Sequence, residues 1–143
     1  MHRVRVVLVD NQEAFLRALV AVVDVTWGFV VVGQAPTGEE SLKLTDELKP
    51  GLVLMDVNLP GIDGIEATRR LRERRTPPVV TLLSTHDEDA GELFVAQSGA
   101  NAYVTKSARG RNPGAGRRLA VGGHGSRAGA RSRRRGTGPS RGR

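Results

Sequence analysis

Leu52-Val53-Leu54-Met55-Asp56-Val57-Asn58-Leu59-Pro60-Gly61-Ile62-Asp63-Gly64 is the stretch that decides the fold. Its first four residues form an apolar run without polar alternation, the pattern of a strand buried on both faces of a parallel sheet. The run ends on a carboxylate, and Asp63 with Glu66 then has the spacing of a helix capping box. Three further segments read as strands of the same kind: Val4 to Val9, Phe29 to Val32 and Val79 to Leu83. Ala102 to Thr105 is a weaker fifth.

Helical patterns lie between these strands. Phe15, Leu19 and Val22 or Val23 recur at helical spacing, Leu44 and Leu48 share a face, and Ile65, Thr68 and Leu71 do the same. Thr37 with Glu40 fits a capping box, and Pro50-Gly51 stops the second helix before the third strand. The weakest helix is Asp87 to Ser98, where Gly91 costs about 1 kcal/mol relative to Ala. Leu93, Phe94 and Ala96 are its predicted apolar face. Strand and helix alternate five times, which calls for βαβ units and an α/β doubly wound parallel sheet covered by helices on both faces.

The chain has 143 residues and a formal net charge of +7, but the charge is unevenly placed. Met1 to Lys106 carries 11 basic and 15 acidic residues, net −4, whereas Ser107 to Arg143 carries 11 Arg and no acid. Partners must therefore be considered separately for the two parts. The absence of cysteine excludes disulfides, Cys-ligated zinc and thiol nucleophiles, and fits a reducing compartment. No apolar run approaches the roughly 18–20 residues of a membrane span, and Val6 to Val9 is too short for a secretory signal. The expected location is the cytoplasm.

In an open α/β sheet, ligands bind beyond the carboxyl ends of the strands. Strand one there ends in Asp10 and Asn11, strand three in Asp56, strand four in Ser84 and Thr85, and strand five in Lys106. Two carboxylates, a hydroxyl and an ammonium on one rim suit a divalent cation and a phosphoryl group, because oxygen ligands favour Mg²⁺ and the cations offset phosphate charge. His2, His86 and His124 lack metal-ligand spacing and read as surface residues. Trp27 is expected to pack as a loop residue near the second strand.

The ordered motifs Val6-Val7-Leu8-Val9-Asp10-Asn11, Leu54 to Gly64, Leu83-Ser84-Thr85 and Gly99-Ala100-Asn101-Ala102-Tyr103-Val104-Thr105-Lys106 resemble the receiver domains of two-component response regulators. The resemblance covers about three quarters of the chain and points to the branch that carries a C-terminal helix-turn-helix. It implies a flavodoxin-like sheet of five strands in the order 2-1-3-4-5. It also implies a phosphoacceptor rather than an enzyme: Asp56 would accept a phosphoryl group from a sensor histidine kinase. Mg²⁺ would be held by Asp10, Asp56, the backbone carbonyl of Asn58 and, at the position beside Asp10, Asn11. Lys106 would pair with the phosphate, Ser84 would donate a hydroxyl to it, and Tyr103 would be the aromatic partner of the Ser84 switch. The added charge of roughly −1.5 to −2 would bias two packings of the domain.

Two departures from the family pattern stand out. Asn11 replaces a usual acid, so Mg²⁺ affinity should drop, or phosphotransfer should give way to a phosphorylation-independent binding module. After Lys106 the family continues into a fifth helix, here interrupted by Gly110, Pro113, Gly114 and Gly116. The division is therefore a receiver domain over 1–107 and an Arg/Gly-rich tail over 108–143, expected to be disordered, with the final helix missing and no recognisable output domain. Loss of that helix would remove part of the surface through which many receivers form homodimers. The tail reads either as a salt-dependent nucleic-acid binder or as an out-of-frame translation of GC-rich DNA. A phosphatase or mutase with an aspartyl nucleophile is the enzyme alternative; such enzymes commonly have a second acid two residues on, where this chain has Asn58.

Overall fold

A computed structural model describes residues 2–106. Within them the order is β1 (Val4–Val9), α1 (Glu13–Asp24), β2 (Phe29–Ala35), α2 (Gly38–Leu48), β3 (Leu52–Asp56), α3 (Gly64–Arg72), β4 (Val79–Ser84), α4 (Glu88–Ser98) and β5 (Ala102–Thr105). The strands form one parallel sheet in the order β2-β1-β3-β4-β5, the flavodoxin-like order that the family resemblance implies. The expectations for the tail and the missing fifth helix lie outside the described residues.

Successive side chains of a strand point to opposite faces, and the apolar runs fill both. Val7, Val9, Val53, Met55, Val80 and Leu82 face one way, against Ala67 and Leu71 of α3 and partly buried residues of α2 and α4. Val6 and Leu8 face the other way, against Leu16 and Val23 of α1. Full burial of one such side chain stabilises by about 1.5–3 kcal/mol, so the continuous apolar runs are what make a two-sided sheet favourable.

Local chemistry fixes the boundaries. Thr37, Asp63 and Asp87 each accept a hydrogen bond from the backbone N–H three residues on, at 3.1, 2.9 and 3.1 Å. Lys49 turns left-handed at φ 49° to close α2 before Pro50. Three strands run further than their sequence signals, to Ala35, Asp56 and Ser84, because neighbouring strands supply partners: Val7, Leu8 and Val9 pair with Gly33, Gln34 and Ala35 across a register shift in β1. Pairing thus carries Asp56 and Ser84 into the sheet itself.

Some packing differs from the sequence reading. In α1 the buried residues are Leu16 and Val23, while Val22 is 59% exposed. In α4, Leu93 is 54% exposed and Ala96 is exposed; Phe94 and Val95 meet the core instead. At Gly91 the missing Cβ lets α4 approach the Tyr103 ring closely. The helix-propensity cost of this glycine is therefore tied to a close contact with β5. Trp27 does not pack: it is 81% exposed. Among the described residues no helix is long and apolar enough to cross a membrane.

Candidate functional site at the carboxyl ends of the strands

Asp10 follows β1 directly and is held by its backbone N–H, which donates to the Ala35 carbonyl at 3.1 Å. Its Oδ1 accepts from the Gln12 N–H at 2.8 Å, fixing the start of α1 relative to the carboxylate. Asp56 closes β3 opposite Leu83, and the next residue, Val57, donates to the Leu83 carbonyl at 2.9 Å. Both acids are buried, at 0% and 3% exposure. The loop after Asp56 returns tightly, with Gly64 donating to the Val57 carbonyl; a Cβ on Gly64 would collide with the Asp56 carbonyl.

Lys106, just beyond β5, bridges the two acids. Its Nζ lies 2.9 Å from Asp10 Oδ2 and 3.5 Å from Asp56 Oδ1, and its side chain is only 6% exposed. The backbone N–H of Lys106 donates to the Ser84 carbonyl at 2.7 Å, which ties the ammonium to the end of β4. Burial pushes the Asp56 carboxyl up from its ordinary value and the nearby Asp10 charge pushes it further; Lys106 and the Asn58 backbone N–H pull it back. Two buried carboxylates against one ammonium leave a net negative pocket, which favours a further cation.

Of the residues singled out in the sequence, Asp10, Asp56 and Lys106 meet directly. Ser84 is fully buried at the end of β4. Asn11 and Asn58 are exposed on the same rim, and Tyr103 is half-buried with its ring against Gly91. Among the described residues no third acid or histidine joins Asp10 and Asp56 in a metal-holding cluster. The donors on this rim are carboxylate, amide and carbonyl oxygens, which suit Mg²⁺ in kind although fewer than usual carry charge.

Sequence reasoning missed three neighbours. Gln12 Oε1 lies 3.5 Å from Lys106 Nζ, and the Phe15 ring centroid lies 4.2 Å from the same atom. His86 reads as an ordinary surface residue, yet its backbone N–H donates to Ser84 Oγ at 2.9 Å. Its Nδ1 is 3.2 Å from that oxygen, and its ring meets Phe94 edge-on at 5.6 Å. Helical periodicity assigned Phe15 to the core, and a lone histidine carried no spacing signal.

The sequence matches the response regulator receiver domain over residues 6–112. It is 42% identical over 105 residues to the response regulator GacA of Pseudomonas viridiflava, covering 73% of this chain and 49% of that one. It is 35% identical over 108 residues to the transcriptional regulatory protein LiaR of Bacillus subtilis, covering 74% and 50%. The chain thus spans about half the length of the curated relatives it matches. Among solved structures it resembles a LuxR-family two-component response regulator from Aurantimonas, with a TM-score of 0.69, 33% identity, and 74% and 76% coverage. It also resembles the receiver domain of the putative response regulator NarL from Mycobacterium tuberculosis, with a TM-score of 0.70, 30% identity, and 76% and 87% coverage. With the 2-1-3-4-5 sheet and the acid pair at its carboxyl rim, these matches make the chain a member of the response regulator receiver domain family.

Proposed function

We propose that this chain is a cytoplasmic phosphoacceptor that takes a phosphoryl group onto Asp56 from a sensor histidine kinase. The observation that carries the reading is Lys106 Nζ bridging Asp10 and Asp56 in a buried pocket. An Asp56 oxygen attacks phosphorus, the new O–P bond forms as the P–N bond to the kinase imidazole breaks, and the electron pair leaves with the imidazole nitrogen. Asp56 suits the task because burial and Asp10 raise its proton affinity and with it its nucleophilicity. Lys106 then exchanges carboxylate for phosphoryl oxygen, and Ser84 donates its hydroxyl once it turns from His86. Tyr103, packed on Gly91 of α4, passes the Ser84 movement to that helix.

The family generally uses Mg²⁺, and in this chain Asp10, Asp56, the Asn58 carbonyl and the Asn11 amide are the residues to hold it. When bound, the ion offsets charge on the phosphoryl oxygens. Purified protein is expected to incorporate label from acetyl phosphate with Mg²⁺, and Asp56→Asn to abolish it; undiminished labelling in that variant overturns the assignment. Asn11→Asp is expected to lower the Mg²⁺ concentration for half-maximal labelling by about tenfold, the effect of roughly 1.4 kcal/mol of added charge attraction. An unchanged requirement would remove Asn11 from the ligand set.

Asn11 also favours a second reading, a receiver that binds partners without phosphorylation, including a second copy of itself. The basic stretch 107–143 offers nucleic-acid phosphates a salt-dependent contact. In that case deleting residues 108–143 abolishes DNA or RNA retention while labelling of Asp56 stays absent.

A further inference from the structure

Lys106 is a long flexible side chain, yet its ammonium is almost fully enclosed, and the two carboxylates it bridges are not its only neighbours. Of its three acceptors only Asp10 Oδ2 is close, at 2.9 Å; Asp56 Oδ1 and Gln12 Oε1 are both at 3.5 Å, the outer limit of such contacts. The ammonium also lies over the Phe15 ring, whose centroid is 4.2 Å from Nζ, inside the range of a cation–π contact. Phe15 stands in the first turn of α1, and that turn is fixed to Asp10 through the Gln12 N–H bond of 2.8 Å. The ring, the amide oxygen and the carboxylate therefore surround the ammonium as one unit.

We propose that Phe15 is a positioning residue for Lys106: its ring face holds the ammonium over the acid pair, so the cation is already aimed when a phosphoryl group reaches Asp56. The inference rests on the role of Lys106 given above. Attraction across a ring face is broad, whereas a hydrogen bond to Asp10 is directional. Lys106 can slide from Asp10 toward a phosphoryl oxygen while it stays over the ring, without exposing the charge to an apolar wall. Leucine would fill much of the same space but has no negative face, so size and electrostatics can be separated.

The test compares Phe15→Leu and Phe15→Trp with the wild-type full chain. In the wild type the Lys106 ε-methylene proton resonance is expected upfield of the other lysines, shifted by the ring current, and it should return to their position in Phe15→Leu. Labelling by acetyl phosphate with Mg²⁺ should slow about tenfold in Phe15→Leu and return to near the wild-type rate in Phe15→Trp. Equal slowing in both variants, or no slowing in a folded Phe15→Leu, overturns the proposal. So does an unshifted ε-methylene in the wild type, which reads the contact even if Phe15→Leu fails to fold. If the wild type takes up no label at all, the phosphoacceptor reading fails, and the ε-methylene shift alone decides the positioning.

Discussion

At the carboxyl ends of β1, β3 and β4 the buried groups are Asp10, Asp56 and Ser84, whereas at the amino ends of β1 and β4 the apolar Val4 and Val79 stand 41% and 47% exposed. Val25 and Trp27, in the loop that leads into β2, are more than 80% exposed. Polarity is thus inverted between the ends: charge is inside where chemistry is expected and hydrocarbon is outside where none is. The amino end is closed by backbone acceptors, with Arg5 donating to the Leu48 and Lys49 carbonyls and Arg72 to the Pro78 carbonyl. Such bonds satisfy helix and loop ends without burying a carboxylate. The carboxyl end instead holds two buried acids with one ammonium, an arrangement that costs stability.

The carboxyl rim is least tolerant of change at Gly64. Its neighbours at the carboxyl rim are backbone, the Asp56 carbonyl and the Val57 Cα, so no side chain can yield to a new methyl group. Gly64→Ala is expected to cost about 3 kcal/mol, the upper range of overpacking, read as a lower urea midpoint with unchanged slope. A midpoint equal to wild type would mean that the Asp56 loop is pliant. A smaller effect of opposite sign is expected from Asp56→Asn. Because the folded Asp56 carboxyl is raised above its ordinary 3.8, the native state holds the proton more tightly than the unfolded chain. The associated stability is present below the ordinary value and is lost as pH rises through the folded one. Removing the charge should therefore stabilise at pH 7, by on the order of 1 kcal/mol. That gain should vanish at about pH 4 and below. A gain that grows on acidification would reverse the assigned direction.

The same contrast explains what the sequence discloses. Burial on both faces follows from apolar runs, since Val6 to Val9 and Leu52 to Met55 have one favourable environment, whereas the strand order β2-β1-β3-β4-β5 is legible only through the family resemblance. Asp10, Asp56 and Lys106 were legible because strand direction sends all three to one rim. The partners of those groups were not. Phe15 satisfies helical periodicity as well as Leu16 does, and only the phase of α1 on the sheet turns Leu16 inward and leaves Phe15 beside Lys106. His86 engages Ser84 through its own backbone as well as its ring, a local turn contact without periodic signature. Gly91 looked like a weak point of α4 until β5 placed the Tyr103 ring against it. For Phe15 and Gly91 the deciding term is packing between separate elements, and for His86 it is a local turn; neither leaves a periodic trace in the sequence.

The smallest effect belongs to the amino end. Trp27 is the largest side chain of the protein, and removal of a packed tryptophan costs about 3–5 kcal/mol. At 81% exposure it has little apolar area to lose on substitution. The loop around it is held by main-chain bonds, Val4 N–H to the Gly28 carbonyl at 2.7 Å and Thr26 N–H to the Val23 carbonyl at 3.0 Å, and these are independent of the indole. Trp27→Ser is therefore expected to leave the urea midpoint within about 0.5 kcal/mol of wild type, as substitutions away from packed features do, and to leave Asp56 labelling unchanged. A loss above about 2 kcal/mol, the scale of a large-to-small core substitution, would place the indole in a packed environment and erase the difference between the two ends. A null result instead ties the sensitivity of this fold to the rim where Asp10, Asp56 and Lys106 meet.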